Sequence, residues 1–354
     1  MAVRKTDNTW AVSFYYNEWN GDRVRHRKTG FKTKKEAQQY ERDFLQNHSG
    51  TPEMSFGALV SLYMDDCKTR LRSTTYANKE YLIFKKIVPF FENVAIDSIS
   101  PAMVRRWQTE LMNDEHGYSE TYLKTIHNQM SAIMNYAVKY YGLRSNPAAK
   151  CGAMGKKRAD SMLFWTQDEF KRFEEVISDK LYSKVIFNLL YWTGMRSGEL
   201  LALTLSDFDF RNNTVSITKS YTRLDGEDII NPPKTPAGRR VVTVPASVMS
   251  LVYEYSQRLP YYNPSSRLFE FTKYYLWHEI DRGCKKSGVK RIRVHDLRHS
   301  HASLLIELGY SPLLIAERLG HENIETTLQT YSHLYPNKQE QLAKELEELI
   351  LDKN

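Results

Sequence analysis

Two segments with low propensity for regular structure divide this chain of 354 residues into three parts. The first is Ser49-Gly50-Thr51-Pro52, and the second, at 146–160, is rich in alanine, glycine and lysine and contains a proline. Chains of this length commonly form two or three domains, whose boundaries fall in such linkers. We therefore predict folded segments at residues 1–48, 52–150 and 160–336, followed by a tail helix at 337–354.

The segment at 1–48 has the pattern of a small sheet backed by one helix. Apolar side chains alternate along a first predicted strand, at Trp10, Val12, Phe14 and Tyr16. Arginines alternate along a second predicted strand, at Arg23, Arg25 and Arg27. Thr33 and Glu36 then have the spacing of a capping box, which predicts the start of a helix. Basic strands with interleaved aromatics are typical of a DNA-binding surface, although a solvated basic face would have the same composition.

The segment at 52–150 has the periodicity of a helical bundle. Apolar residues repeat at helical spacing in four stretches, and Ser100 and Ser119 are favourable N-cap residues for two of them. In the second stretch, one helical face is formed by Tyr81, Phe84, Lys85 and Val88. We expect the methionines and aromatics of this segment in its core, and its basic residues either at DNA phosphates or in solvent.

The segment at 160–336 combines helices with a small sheet. Thr166 and Glu169 predict a second capping box. Alternation over 214–221 predicts a strand that pairs with 239–244, and helical periodicity resumes near Ser247. The apolar stretch at 185–192 is too short for a membrane span and predicts a buried helix. The expected fold class is multidomain and mainly α-helical with small β-sheets.

The composition limits which partners and which cellular compartment are expected for this protein. A formal net charge of +8 and a pI of about 9.1 favour nucleic acid or an anionic membrane surface as the partner. The sequence has neither a signal-like apolar region at its start nor an apolar run long enough for a bilayer, so we expect no membrane partner. Its three cysteines have neither metal spacing nor a disulfide framework, which predicts a cytoplasmic protein.

Six residues of the third segment form a set whose chemistry suits a phosphodiester. They are Arg196, Lys234, His295, Arg298, His321 and Tyr331. Arginine presents permanently charged donors that match phosphate oxygens, histidine and lysine transfer protons, and tyrosine can be a nucleophile. Together they predict an enzyme that cuts DNA by joining itself to it, with no metal and no other cofactor.

The residues around Arg196 predict how it is positioned. Gly194 and Gly198 flank it, and we expect them to let the backbone approach a ligand closely. Glu199 follows one helical turn later and is placed to hold the guanidinium.

A second group of site residues belongs to two helix ends. His295 and Arg298 are three residues apart and share one helical face, so both can reach a single phosphate. His299 and His301 lie beside them and are interpreted as surface or packing histidines. His321 follows a glycine that predicts the C-terminus of a helix.

The order of the motifs along the chain is more specific than any one of them. They are R-S-G-E-L, then K-T before a basic strand, then H-D-L-R-H-S-H-A-S, L-G-H and T-Y-S-H. This set resembles the tyrosine recombinase, or phage integrase, family, strongly over 166–336 and more loosely over the helical middle segment. The first segment resembles the arm-DNA-binding domain of integrases from phages and conjugative transposons.

The resemblance implies an identity for each segment. It predicts a three-stranded sheet plus helix that binds arm-type DNA at 1–48. A helical, SAM-like core-binding domain follows at 52–150, and a mixed α/β catalytic domain at 160–336.

The resemblance also implies catalytic roles. Tyr331 attacks the scissile phosphate and forms a 3′-phosphotyrosyl bond. Arg196 and Arg298 clamp the non-bridging oxygens, His295 assists proton transfer, and His321 donates a hydrogen bond to the phosphate. Because the bond energy is kept in the phosphotyrosine, no ATP is needed.

Two of the assigned residues have competitors nearby. Lys234 is expected to protonate the departing 5′ oxygen, but Lys219 lies on the neighbouring predicted strand; we prefer Lys234 because it precedes an R-R strand. Tyr335 is near the predicted nucleophile Tyr331, but it is off the motif and next to Pro336.

The family implies a site-specific recombinase that integrates and excises a mobile element. Its expected partners are double-stranded DNA at core and arm sites and further copies of itself in a homotetramer. An accessory excisionase is a further possible partner. The alternatives are a chromosome-dimer resolvase, a type IB topoisomerase and a DNA-binding regulator of the same fold. The basic first segment disfavours the resolvase, and the six intact positions disfavour the regulator.

The tail helix at 337–354 carries an apolar stripe formed by Leu342, Leu346, Leu349 and Ile350. Such a stripe packs either on its own domain or on a neighbouring protomer, and the sequence does not distinguish the two.

Overall fold

The computed structural model describes residues 3–6, 9–17, 23–48, 54–156, 162–259, 263, 265–331 and 347. They form two compact units, Met1–Asp160 and Ser161–Asn354. The strands are β1 Val3–Thr6, β2 Thr9–Asn17, β3 Arg23–Phe31, β4 Phe208–Asp209, β5 Thr214–Ile217, β6 Ser220–Leu224, β7 Glu227–Asn231 and β8 Arg240–Thr243. The helices are α1 Lys34–His48, α2 Phe56–Arg70, α3 Ser73–Lys86, α4 Val88–Phe91, α5 Pro101–Met112, α6 Glu120–Tyr140, α7 Pro147–Cys151, α8 Gln167–Ile177, α9 Leu181–Thr193, α10 Ser197–Ala202, α11 Ala246–Gln257, α12 Lys273–Ser287, α13 Asp296–Glu307, α14 Pro312–Leu319 and α15 Ile324–Tyr331.

The first unit begins with an antiparallel sheet in the order β1-β2-β3, with α1 packed on it. Val12 and Phe14 alternate into the core and meet Ala37 of the helix, while Arg25 and Arg27 on β3 are exposed. The backbone N–H of Glu36 donates to Thr33 Oγ1 at 3.1 Å, which caps the helix. The predicted small sheet backed by one helix is therefore confirmed.

The rest of the first unit is a helical bundle, α2 to α7, around one apolar core. Ser100 and Ser119 cap α5 and α6 by accepting hydrogen bonds from backbone N–H groups three residues later. The core contains Trp107 and Met130, so the expectation that methionines and aromatics pack inside is confirmed for these residues, whereas Met112 and Tyr140 are exposed.

The predicted apolar face of the second helix is wrong. Tyr81 and Phe84 are 57% and 44% exposed, whereas Leu82 and Ile83 are buried. The misprediction arises because α3 carries apolar residues on two faces, and helical spacing alone does not say which of them packs against the bundle.

The second unit places helices around a sheet in the order β4-β5-β8, next to a separate β6-β7 hairpin. Val215 and Ile217 point into the core, and β5 pairs with β8 as predicted, with Val215 opposite Val242. Thr166 and Glu169 form the predicted capping box of α8. The apolar stretch at 185–192 lies in the buried helix α9.

The single strand predicted at 214–221 is in fact two strands, and that prediction is wrong. The β5 strand ends at Ile217, and β6 begins at Ser220 in a hairpin of its own. The side chain of Lys219 in the break donates to Thr204 Oγ1 at 3.0 Å and lies 2.8 Å from Asp207, which anchors the turn.

The predicted tail helix at 337–354 lies outside the described residues except for Glu347, and Tyr335 and Pro336 also lie outside them. In the part of the chain that is described, no helix has the length and apolar character needed to cross a membrane.

Candidate active site

The corner between α9 and α10 positions Arg196. The α9 helix ends at Gly194 in the left-handed conformation, with φ of +66°, and Arg196 is the N-cap residue of α10. Glu199 accepts a hydrogen bond from the Arg196 backbone N–H at 2.8 Å and another from Nη1 at 2.7 Å. The expected contact of Glu199 with this guanidinium is therefore present, and it fixes the arginine from both ends.

Glu199 also binds a second arginine, which the sequence did not single out. Arg240 Nη2 donates to the buried Glu199 carboxylate at 2.8 Å, and Arg240 Nε donates to the carbonyl oxygen of Arg318 at 2.8 Å. Burial raises the pKa of Glu199, but the hydrogen bond and charge of Arg240 and the charge of Arg196 outweigh it and lower the pKa overall. The carboxylate therefore stays ionised between two guanidinium groups.

The two glycines beside Arg196 approach protein rather than an open ligand site, so the earlier interpretation is wrong. A Cβ on Gly194 would lie 2.7 Å from both His301 and Leu319, and one on Gly198 would lie 2.6 Å from Ser220 Oγ. Their small size lets helices and the hairpin pack closely.

Arg298 is the most buried cation of the site, with 3% of its surface exposed. Its Nη1 donates to the carbonyl oxygen of Gly194 at 2.9 Å, and its Nη2 donates to that of Leu319 at 2.7 Å. Burial lowers the pKa of Arg298 to about 9, and the positive charge of Arg196 contributes. The side chain thus joins the ends of α9 and α14 while carrying a charge that no carboxylate touches among the described contacts.

His295 precedes the same helix as its N-cap residue. Burial lowers the pKa of His295, and the charge of Arg298 lowers it further. The ring meets that of His299 edge to face, with centroids 5.2 Å apart. The neutral form of His295 is therefore favoured, and its ring lies beside that of His299.

Tyr331 ends α15 with 1% of its surface exposed, packed against Ile306 and Leu319. Its hydroxyl lies 2.7 Å from His299 Nδ1. Burial raises the pKa of Tyr331 to about 12, against the opposing charges of Arg298 and Arg196. His299 was interpreted as a surface or packing residue, and its contact with the tyrosine corrects that interpretation.

His321 follows the left-handed glycine that ends α14, as predicted. Its Nδ1 lies 2.7 Å from the hydroxyl of the buried Thr327 on α15. Burial lowers the pKa of His321 to about 4, and Arg298, Arg196 and Arg240 contribute. Because these three arginines act on its pKa, His321 lies in the same cluster as they do.

The structure brings five of the six predicted residues into one cluster, but it does not link the sixth to them. Lys234 lies exposed in the loop between β7 and β8, and none of the described hydrogen bonds or ion pairs reaches it. The competing Lys219 is held by Thr204 and Asp207.

His301 has the packing role expected from the sequence. It is buried, and its Nε2 accepts a hydrogen bond from Arg318 Nε at 2.9 Å. Burial lowers its pKa to about 3. Across the described residues there is no group of three or more histidine, cysteine, aspartate or glutamate side chains able to hold a metal ion.

Family models match three parts of the chain. The phage integrase family model matches residues 164–338, an N-terminal SAM-like domain of phage integrases matches 55–112, and an arm DNA-binding domain matches 2–48. The ICEBs1 integrase of Bacillus subtilis (strain 168) is 32% identical over 99% of this chain and 100% of that protein. The integrase of Staphylococcus phage L54a is 24% identical over 81% of this chain and 87% of that protein.

Solved structures show the same fold. The Tn1549 transposon integrase in complex with circular intermediate DNA matches with a TM-score of 0.68 and 21% identity, covering 84% of this chain and 100% of that one. A lambda integrase dimer bound to a core site matches with a TM-score of 0.60 and 15% identity, covering 96% and 95%. The family resemblance seen in the sequence is thereby confirmed: the chain belongs to the phage integrase family of tyrosine recombinases, enzymes that cleave and rejoin DNA.

Proposed function

We propose that this protein integrates and excises a mobile element by cutting double-stranded DNA through a 3′-phosphotyrosyl intermediate. The observation that carries the proposal is the buried hydroxyl of Tyr331 in one cluster with Arg196, Arg298, His295 and His321. A nucleophile beside two fixed guanidinium groups suits an anionic phosphodiester.

In this proposal the two arginines bind the non-bridging oxygens of the scissile phosphate. Arg298 is rigid because two backbone carbonyl oxygens hold its guanidinium. Arg196 is 41% exposed at its side chain, so it can reach DNA while Glu199 holds its Nη1. Charges held in place before the reaction stabilise the transition state without reorganisation.

The histidines and a lysine complete the proposed chemistry. His321 donates a hydrogen bond to the phosphate, and His295 assists proton transfer. Lys234 protonates the departing 5′ oxygen. The exposure of Lys234 and the ion pair of Lys219 with Asp207 support this choice, because a lysine without a carboxylate partner moves to the leaving group without breaking an ion pair.

The proposed DNA partners are assigned segment by segment, and arm DNA is assigned to the first segment. The exposed arginines of β3 support contact with arm DNA, and the relatives named above include integrases solved with DNA. In this proposal the protein acts in the cytoplasm, and an accessory excisionase is a further proposed partner.

We further propose a homotetramer on DNA, in which the tail of one protomer packs on the next. A groove of about 1200 Å³ beside His321 supports this, because its rim exposes Val241, Leu308 and Leu313. A helix with an apolar stripe suits such a surface. A chain truncated after Pro336 should bind DNA as a monomer without forming the tetramer; unchanged assembly would contradict tail exchange.

Covalent trapping in cells tests the proposed function. The protein is expressed with plasmid DNA that carries the sequences flanking its gene, the cells are denatured, and protein-bound DNA is recovered and sequenced at its 3′ ends. We expect Tyr331-dependent adducts at two positions a few base pairs apart.

Tyr331→Phe is the matched control, since it removes only the nucleophilic oxygen. It should retain specific DNA binding and form no adduct. Adducts in this variant would show that another residue is the nucleophile. Specific binding without adducts in the wild-type protein would favour the DNA-binding regulator instead.

A further inference from the structure

The hydroxyl of Tyr331 has a hydrogen-bond partner outside the six family positions. His299 Nδ1 lies 2.7 Å from Tyr331 Oη, and the two rings meet edge to face with centroids 5.6 Å apart. His299 follows Arg298 in α13, whereas Tyr331 is the last residue of α15. The contact therefore connects two helices through the atom that attacks DNA in the proposed function.

The polarity of this hydrogen bond follows from the burial of the phenol. Tyr331 carries one hydroxyl proton, and among the described contacts His299 Nδ1 is the acceptor within reach. A buried hydroxyl that donates to nothing is unfavourable. The favoured imidazole tautomer is therefore the one with its proton on Nε2 and a free lone pair on Nδ1.

The surroundings keep this imidazole neutral. The groups that face it are His295, Asp296, Arg293 and Arg298, and those that face the phenol are Arg196, Arg298 and Asp296. Burial lowers the pKa of His299 to about 4, while it raises the pKa of Tyr331 to about 12. At neutral pH an unprotonated base therefore faces a protonated nucleophile.

We propose that His299 takes the Tyr331 proton during DNA cleavage and returns it during rejoining. This inference rests on the proposed function. As Oη bonds to phosphorus, its O–H bond breaks toward His299 Nδ1, the bond from phosphorus to the 5′ oxygen breaks, and that oxygen takes a proton from Lys234. Rejoining runs the same steps in reverse, so both protons return to their starting groups.

The acidities of Tyr331 and His299 determine when the proton is transferred. The phenol is a far weaker acid than protonated His299, so transfer of the proton before the new bond forms is strongly unfavourable. It moves while the new bond forms, because the phenol oxygen loses its basicity as it shares its electrons with phosphorus. His299 thus contributes at the transition state.

Two substitutions separate proton uptake from positioning. His299→Asn places an amide oxygen near the position of Nδ1, so it accepts the hydrogen bond but takes no proton; His299→Leu does neither. On a duplex carrying the cleavage site mapped by trapping, both should lower the single-turnover cleavage rate by roughly 10²-fold or more. DNA affinity should be unchanged. A wild-type rate in His299→Asn would overturn the proposal, and the exposed His278→Asn serves as the matched control.

A 5′-bridging phosphorothiolate at the scissile position separates the two proton transfers. Its sulfur leaves without protonation, so Lys234→Ala should regain cleavage on this substrate, whereas His299→Leu should remain defective. Equal rescue of both variants would mean that His299 acts on the leaving group and would refute the inference. If wild-type protein forms no adduct, the proposed function fails together with this inference; if it does and His299→Leu is equally fast, only this inference fails.

The hydrogen bond can also be tested without DNA. Imidazole nitrogen shifts of the full chain labelled with ¹⁵N-histidine should report a neutral His299 at pH 7 whose Nδ1 shift changes in Tyr331→Phe. A charged His299, or a shift that ignores the tyrosine substitution, would contradict the proposed arrangement.

Discussion

Gly194 provides a sharp test of how packing positions the site. It and Gly288 both end helices in the left-handed conformation, with φ of +66° and +69°. A Cβ on Gly194 would lie 2.7 Å from His301 and Leu319, whereas a Cβ on Gly288 would meet nothing within 4 Å. Alanine at the two positions therefore imposes the same backbone strain but different steric clashes.

The expected costs can be worked out from these two environments. Alanine in the left-handed conformation costs about 1–2 kcal/mol, and this applies to both variants. Overpacking of a buried site adds about 1–3 kcal/mol, and this applies to Gly194→Ala alone. We therefore expect Gly194→Ala to lower the free energy of unfolding by about 1–3 kcal/mol more than Gly288→Ala does.

Urea unfolding of the full chain measures this difference, because both glycines lie in the second unit and affect the same transition. With an m-value of about 2 kcal/mol per molar, the midpoint for Gly194→Ala should lie about 1 M below that of Gly288→Ala. Equal midpoints with equal slopes would refute the packing argument.

The same pair tests the link from packing to catalysis. The carbonyl oxygen of Gly194 accepts the hydrogen bond from Arg298 Nη1, so a displaced corner moves the guanidinium. Gly194→Ala should therefore also lower the yield of covalent DNA adduct under conditions where the variant is folded. Gly288→Ala should leave that yield unchanged.

Three further predictions follow from the buried polar groups of the second unit. Arg298→Lys cannot reach both carbonyl oxygens, so it should lower covalent adduct formation by about 10²–10³-fold, measured by trapping on the mapped site. Glu199→Gln leaves Arg240 buried without its carboxylate and should cost about 3–5 kcal/mol in urea unfolding, whereas Glu199→Gln combined with Arg240→Met should cost less than the sum of the two single changes. Burial lowers the pKa of His301 to about 3, so the unfolded chain takes a proton below pH 6.5 while the native one does not, and stability falls as the pH falls through that window. His301→Gln should flatten this dependence by about 1.4 kcal/mol per pH unit in urea titrations, and the exposed His278→Gln should not.

Local signals in the sequence were sufficient for most elements of the fold. The capping-box patterns at Thr33 and Thr166 mark real helix starts, because at each start the threonine oxygen accepts a hydrogen bond from the backbone N–H three residues later. The pairing of β5 with β8 was also predicted correctly, since apolar and polar residues alternate along both strands and leave one face of each exposed. The buried face of a helix was harder to predict. Tyr81 and Leu82 lie on different sides of α3, and only the tertiary packing decides which of them is buried.

In the candidate site, too, the sequence identified residues with local signals and missed those whose contacts are long-range. Motif order identified the residues whose chemistry is unusual, and Glu199 was found because it lies one turn from Arg196. Arg240 and His299 were missed because their contacts, with Glu199 and Tyr331, cross between distant parts of the chain. No periodicity encodes such a contact; an arginine at the start of a predicted strand was the one available signal for Arg240.

In the proposed mechanism, the buried guanidinium of Arg298 explains why the site binds a phosphodiester before it reacts. Arg298 loses its hydration on folding, and its described partners are carbonyl oxygens, which compensate a positive charge less well than a carboxylate does. The lowered pKa of about 9 expresses that cost, although the group remains charged at neutral pH. In the proposed mechanism a phosphodiester placed between Arg298 and Arg196 supplies the missing anion, so part of the binding energy comes from compensating a buried charge that lacks a carboxylate partner among the described contacts of the free protein. Because Arg298 is fixed by backbone carbonyl oxygens and Arg196 by Glu199, the proposed mechanism keeps the same charges facing the phosphate when it gains further negative charge in the transition state.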